Sequence, residues 1–199
     1  MTEADLKADL QHYLRKARAA LLWKVEGLSE YDVRRPLTST GTNLLGLVKH
    51  LTTVELLYLG IVYDRPFDEF LPWFREDAEP NSDMWATADE SREFILGLYR
   101  RAADHADATI EAVPLDAVCH IPWWGENGSE ANLHQVLTHL IAECHRHAGH
   151  ADIVRELIDD SIGEGPNDDR IPSTDAGWWK SYHSQLEEAA RSADGLAVR

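Results

Sequence analysis

The stretch from His134 to Glu156 constrains this chain more than any other, because it places five of the ten histidines, two glutamates and two arginines inside one helical pattern. A helix advances about 100° per residue, so Glu143 and His147 project from nearly the same side, one turn apart, and can share one ligand. Val136, Leu137, Leu140, Ile141, Cys144 and Ala148 define the apolar side. Glu143 and His147 fall at its edge, where a carboxylate without a partner is costly and a metal ion would offset the cost. Arg155 presents the same difficulty two turns later: the angular count sets it among the inward residues, where a guanidinium needs a carboxylate or another anion. Cys144 lies near the apolar centre and reads as a small core residue. His145 points away, and His139 lies further from the apolar centre than Glu143.

The rest of the chain supplies helices for that one to pack against. Apolar residues recur at three- and four-residue steps over 3–27, ending at Gly27, and over 43–63, where Thr42 is a candidate N-cap. Leu44, Leu47, Val48, Leu51, Val54 and Tyr58 make the inward stripe of the second segment, and His50 sits on its flank, facing inward. Residues 29–41 read as a loop. Residues 64–86 form a long connection anchored by Phe67, Phe70, Trp73, Phe74 and Trp85. Thr87 and Glu90 suggest a capping box for a third helix reaching Val113 and closed by Pro114. Residues 115–130 are irregular, with a short extended piece at 118–121, and Ser129 is a candidate start for the histidine-rich helix, which runs to about Asp160. A last amphipathic segment spans Ala176 to Ala193, and the acidic runs at 75–79 and 167–169 read as solvated loops. The pattern predicts an all-α fold: a four-helix bundle with long crossover connections and an additional C-terminal helical segment. It is expected to form a single domain over 1–199, with a core of about 3–162 and an extension of about 174–194.

His50, Glu143 and His147 together make two imidazoles and a carboxylate, a set suited to zinc with an open fourth position; ligand type leaves nickel and iron open. The net charge of -16 argues against a basic face for nucleic acid or for an anionic membrane, so small molecules are the expected partners. Residues 1–30 lack the order of a secretory signal, no apolar run approaches the roughly 20 residues that span a bilayer, and Cys119 and Cys144 make no disulfide framework; a cytoplasmic protein is expected.

The run Glu143-Cys-His-Arg-His147-Ala-Gly-His150-Ala-Asp152-Ile-Val-Arg155-Glu156 resembles the signature of the DinB-like (YfiT-type) superfamily, in its branch of mycothiol-dependent enzymes. Gly41-Thr-Asn-Leu-Leu-Gly-Leu-Val-Lys-His50-Leu is similar to that branch's first metal motif, and the likeness extends from about residue 8 to 162. It implies a four-helix bundle holding a divalent metal, commonly zinc, with His50, Glu143 and His147 as ligands; many superfamily members use three histidines, and here glutamate takes one place. It further implies mycothiol as cosubstrate, bound as thiolate and attacking an electrophilic small molecule. Members resembling the isomerase of this branch carry an additional C-terminal domain, for which residues after 162 leave no room, so S-transfer is the expected reaction.

Other readings accompany these. The same ligands would serve a metal-dependent hydrolase, for which no general base stands out, or a non-enzymatic, stress-associated metal-binding bundle with a closed coordination sphere. Arg155 is a candidate for holding a carboxylate of thiol or substrate, or for pairing with an acidic neighbour. Trp123 and Trp124 are candidates for stacking on the sugar rings of a glycosylated thiol, or core filler. His150 is placed to orient a ligand from behind, or to cap a backbone carbonyl. The chain is expected as a monomer or homodimer, the aromatic residues of 64–86 offering a contact.

Overall fold

The computed structural model describes residues 2–75, 77–166, 168 and 170–197, excluding the side chains of 195–197. Residues 76, 167 and 169 of the two acidic runs lie outside the described residues. The chain divides into two units, Met1–Gly165 and Pro166–Arg199.

Four long helices build the first unit: α1 (Glu3–Trp23), α3 (Leu44–Leu59), α4 (Arg92–Ala112) and α5 (Leu133–Asp159), with a short α2 (Glu30–Arg34) ahead of α3. Helix α3 packs on both α4 and α5, and α1 closes the ring against the same two, giving the all-α four-helix bundle expected. Fourteen of the sixteen α3 residues are buried, leaving no polar face, which marks it as the central helix. The stretch Leu44–Tyr63, which begins with α3 and runs past its end, is, contrary to the expectation from apolar runs, long and apolar enough to cross a membrane, but most of it is buried inside the bundle. Buried charges tie the helices. The Arg18 guanidinium of α1 forks onto the Glu55 carboxylate of α3 at 2.6 and 3.0 Å and reaches Asp107 of α4 at 2.7 Å.

Local chemistry moves several boundaries. Asn43, rather than Thr42, caps α3: its extended backbone lets Oδ1 accept the Gly46 N–H at 2.8 Å. Helix α4 starts after Ser91, one turn beyond the expected box. Glu90 does accept the Thr87 N–H at 2.8 Å, but it is also drawn to Lys49 Nζ at 2.9 Å. The loop at 29–41 contains α2, whose first turn is capped by Ser29. Helix α1 ends at Trp23, and Gly27, at a φ of 72°, turns the chain afterwards.

Ser129 begins a strand, not the helix. β1 (Val118–Ile121) and β2 (Ser129–Asn132) pair antiparallel with Val118 opposite Asn132 and Ile121 opposite Ser129. Asn132 and Gln135 then form a reciprocal capping box that launches α5. The hairpin carries Trp123 and Trp124 in its turn. Of the aromatic anchors expected in 64–86, Trp73 is buried and donates to Thr53 Oγ1 at 3.0 Å, while Phe70 and Trp85 are exposed.

The second unit holds α6 (Ala176–Ala197). Asp175 accepts the Gly177 N–H at 2.9 Å, and Trp178 stacks on Tyr182 with centroids 5.2 Å apart.

Candidate metal centre

Helix α3 presents His50 across the helix interface to Glu143 and His147 of α5. The i,i+4 pair sits at the edge of the α5 apolar stripe, whose members Val136, Leu137, Leu140, Cys144 and Ala148 are all buried. Glu143 Oε1 lies 2.9 Å from His147 Nε2 and 3.9 Å from His50 Nε2. The two imidazole rings meet edge to face at 4.8 Å. One ligand atom from each residue falls within 4.8 Å of the others. Around a tetrahedral zinc ion, donors about 2.0–2.1 Å from the metal stand roughly 3.3 Å apart, inside the span seen here. The residues therefore fit a divalent cation, and among the described residues the cluster holds three donors. Side-chain exposures of 21% for His50, 27% for Glu143 and 12% for His147 place it at the bundle rim, open to solvent on one side.

The groups around the three donors bear on their charge and orientation. Burial, reinforced by the nearby His50, holds His147 below the ordinary imidazole value against the opposing pull of Glu143, so the ring stays neutral, as a metal ligand must be. His150 Nδ1 lies 3.3 Å from His147 Nδ1, on the ring's far side from Glu143. Asp83 Oδ2 lies 2.7 Å from His50 Nδ1, and that hydrogen bond holds the Asp83 carboxyl below its usual range.

The hairpin tryptophans reach the seam between α3 and α5 one to two helical turns from the donors. Both indoles donate to Tyr58 Oη, Trp123 at 2.8 Å and Trp124 at 2.7 Å. Tyr58 stands two turns beyond His50 on α3, and His139, one turn before Glu143 on α5, packs against Tyr58 and Trp124 at 4.9 and 5.1 Å. His139 thus belongs to an aromatic cluster and not to the donor set. Trp123 keeps 42% of its surface exposed.

Arg155 is not brought to the triad. Its guanidinium forks onto Asp159 at 2.9 and 2.7 Å and donates to the carbonyls of Lys24 and Glu26 at 3.0 and 2.7 Å. These bonds use four of its five donors and fix the end of α1 against α5, about 12 Å along the helix from His147. The pairing with Asp159 is the acidic-neighbour arrangement, one of the two readings that the sequence position of Arg155 allows. Cys144 is fully buried, and burial pushes its thiol well up, as befits a core residue.

Two residues escaped sequence reasoning. Asp83 falls in a stretch without period, so nothing in its spacing points to His50. Tyr58 reads as part of the α3 apolar stripe, and only the hairpin's fold-back reveals its hydroxyl as the acceptor of two indoles.

A family model described as Mycothiol-S-transferase matches residues 9–160, a span that takes in all three donors and the aromatic cluster. No curated protein and no solved structure matches the chain.

Proposed function

The chain belongs to the mycothiol-S-transferase family, and on that premise we propose that it transfers the sulfur of mycothiol to an electrophilic small molecule, with His50, Glu143 and His147 holding one divalent ion, preferably zinc. When bound, the ion supplies the positive charge that keeps a thiol deprotonated at neutral pH. Two neutral imidazoles and one carboxylate cancel only half of a dication's charge, so the donor set favours an anionic fourth ligand over a neutral one. His150 and Asp83 hold the rings of His147 and His50 from behind. The exposed face of Trp123 offers a stacking surface for the sugar rings of the thiol, and the bonds to Tyr58 fix its orientation. The sulfur lone pair forms the new C–S bond while the leaving group departs with its electron pair, and the thiol proton passes to solvent through the open rim. Small electrophiles fit a cytoplasmic detoxification role.

The observation that carries this reading is the cluster of three donors on the solvent side of the bundle. A purely storage or structural site would be expected to close with a fourth protein ligand. The test is conjugation of monochlorobimane with mycothiol, with glutathione and without thiol. Turnover with mycothiol alone is the expected result. Equal rates with glutathione would refute the cosubstrate, and thiol-independent hydrolysis would move the site to the hydrolase reading.

A further inference from the structure

One face of α3 clamps the segment 83–90 against itself. A Cβ at Gly46 would fall 1.8 Å from the Met84 carbonyl oxygen, so only glycine permits the approach. Asn43 Nδ2 donates to that same carbonyl at 3.1 Å. Lys49, itself buried, reaches the Trp85 carbonyl at 3.0 Å and both oxygens of Glu90 at 2.9 Å. His50 is the next residue along, and it meets Asp83 at 2.7 Å.

These contacts fix more than a loop. A carboxylate only accepts hydrogen bonds, so the His50 nitrogen facing Asp83 carries the proton, and Nε2, which faces Glu143 at 3.9 Å, is left with its lone pair toward the donor set. Asp83 cannot itself join the donors while so bonded, because it lies against the opposite nitrogen of the ring. We infer that Asp83 is the positioning residue of the metal centre: seated by the clamp of Asn43, Gly46 and Lys49, it sets the tautomer and orientation of His50, so that the segment after residue 82 forms part of the site although it contributes no ligand. This inference rests on the three-ligand reading above.

The test is the zinc affinity of the full chain, measured by chelator competition without any thiol, together with the His50 tautomer read from long-range proton–nitrogen NMR of the metal-free protein. Asp83→Ala is expected to weaken zinc binding by about 10–100-fold, the usual cost of removing a partner behind a ligand. Asp83→Asn, which keeps an acceptor but not the charge, falls between it and the wild type. Asp89→Ala removes an exposed carboxylate from the same segment and leaves affinity unchanged. A wild-type affinity in both Asp83 variants, or a His50 proton on Nε2 in the wild type, overturns the inference. Should the alanine variant fail to fold, wild-type affinity in the asparagine variant overturns it alone. A wild-type chain that does not bind zinc overturns instead the ligand assignment beneath it, a result the variants cannot mimic.

Discussion

Replacing Arg155 with methionine separates a structural arginine from a ligand-binding one. The substitution keeps most of the aliphatic volume and removes the guanidinium from Asp159 and from the carbonyls of Lys24 and Glu26. Asp159 retains 34% side-chain exposure and can rehydrate, so its ion pair contributes under about 1 kcal/mol. The Lys24 carbonyl lies in buried surroundings, and leaving such a group without a donor costs about 1–3 kcal/mol; the half-buried Glu26 carbonyl costs less. The total is about 2–4 kcal/mol. In a domain of this size each kcal/mol moves Tm by about 2–4 °C, so melting of the metal-free protein should fall by about 5–15 °C. The KM for mycothiol should stay within about twofold of wild type, since no part of the guanidinium reaches the donor set. Circular-dichroism melts and steady-state kinetics on the same preparations decide it. An unmoved Tm with a KM raised tenfold or more would refute the reasoning and return Arg155 to the ligand.

Glu55→Ala leaves the Arg18 guanidinium desolvated and should cost about 3–5 kcal/mol by chemical denaturation, while a double replacement of Arg18 and Glu55 by apolar residues recovers most of it; a single variant as stable as wild type would contradict the pairing. Trp123→Ala should raise the KM for mycothiol by about 2–10-fold and leave that of the electrophile unchanged, the stacking face being lost; equal changes in both would remove the platform role. Because folding lowers the His147 pKa, the unfolded chain binds more protons between the ordinary imidazole value of about 6.5 and the lowered folded one. That contribution to metal-free stability is present above the ordinary value, declines as pH falls through the interval and levels off below it. A His147→Gln variant should lack this component in a comparison of melting against pH, and identical profiles would contradict the burial argument.

The sequence made legible whatever depends on helical period. The α5 stripe, the pairing of Glu143 with His147 and the flank position of His50 all follow from angles along a helix, and the two motifs carried the resemblance that the family match bears out. Boundaries were less legible where side chains compete for the same backbone groups: Asn43 outdoes Thr42 as cap, and Glu90 serves Lys49 as well as Thr87. Ser129 misled because β2 intervenes before the cap at Asn132. Long-range polar contacts were not legible at all. Pairing of Arg155 with a nearby acid is one of the two readings its position allows, but its two other partners are carbonyls at separations of 131 and 129 residues, which no local spacing indicates. Asp83 and Tyr58 acquire their roles only once a connection folds back onto α3.

The central claim, that three side chains hold one ion on which thiol chemistry depends, is tested most directly by titrating zinc into metal-free protein while following conjugation with mycothiol. Activity should start from none, rise with added zinc and reach a plateau at about one equivalent per chain, and a His147→Ala variant should stay inactive throughout, binding little metal. Full activity in the metal-free protein, or a His147→Ala variant that retains its zinc and its rate, would contradict the account.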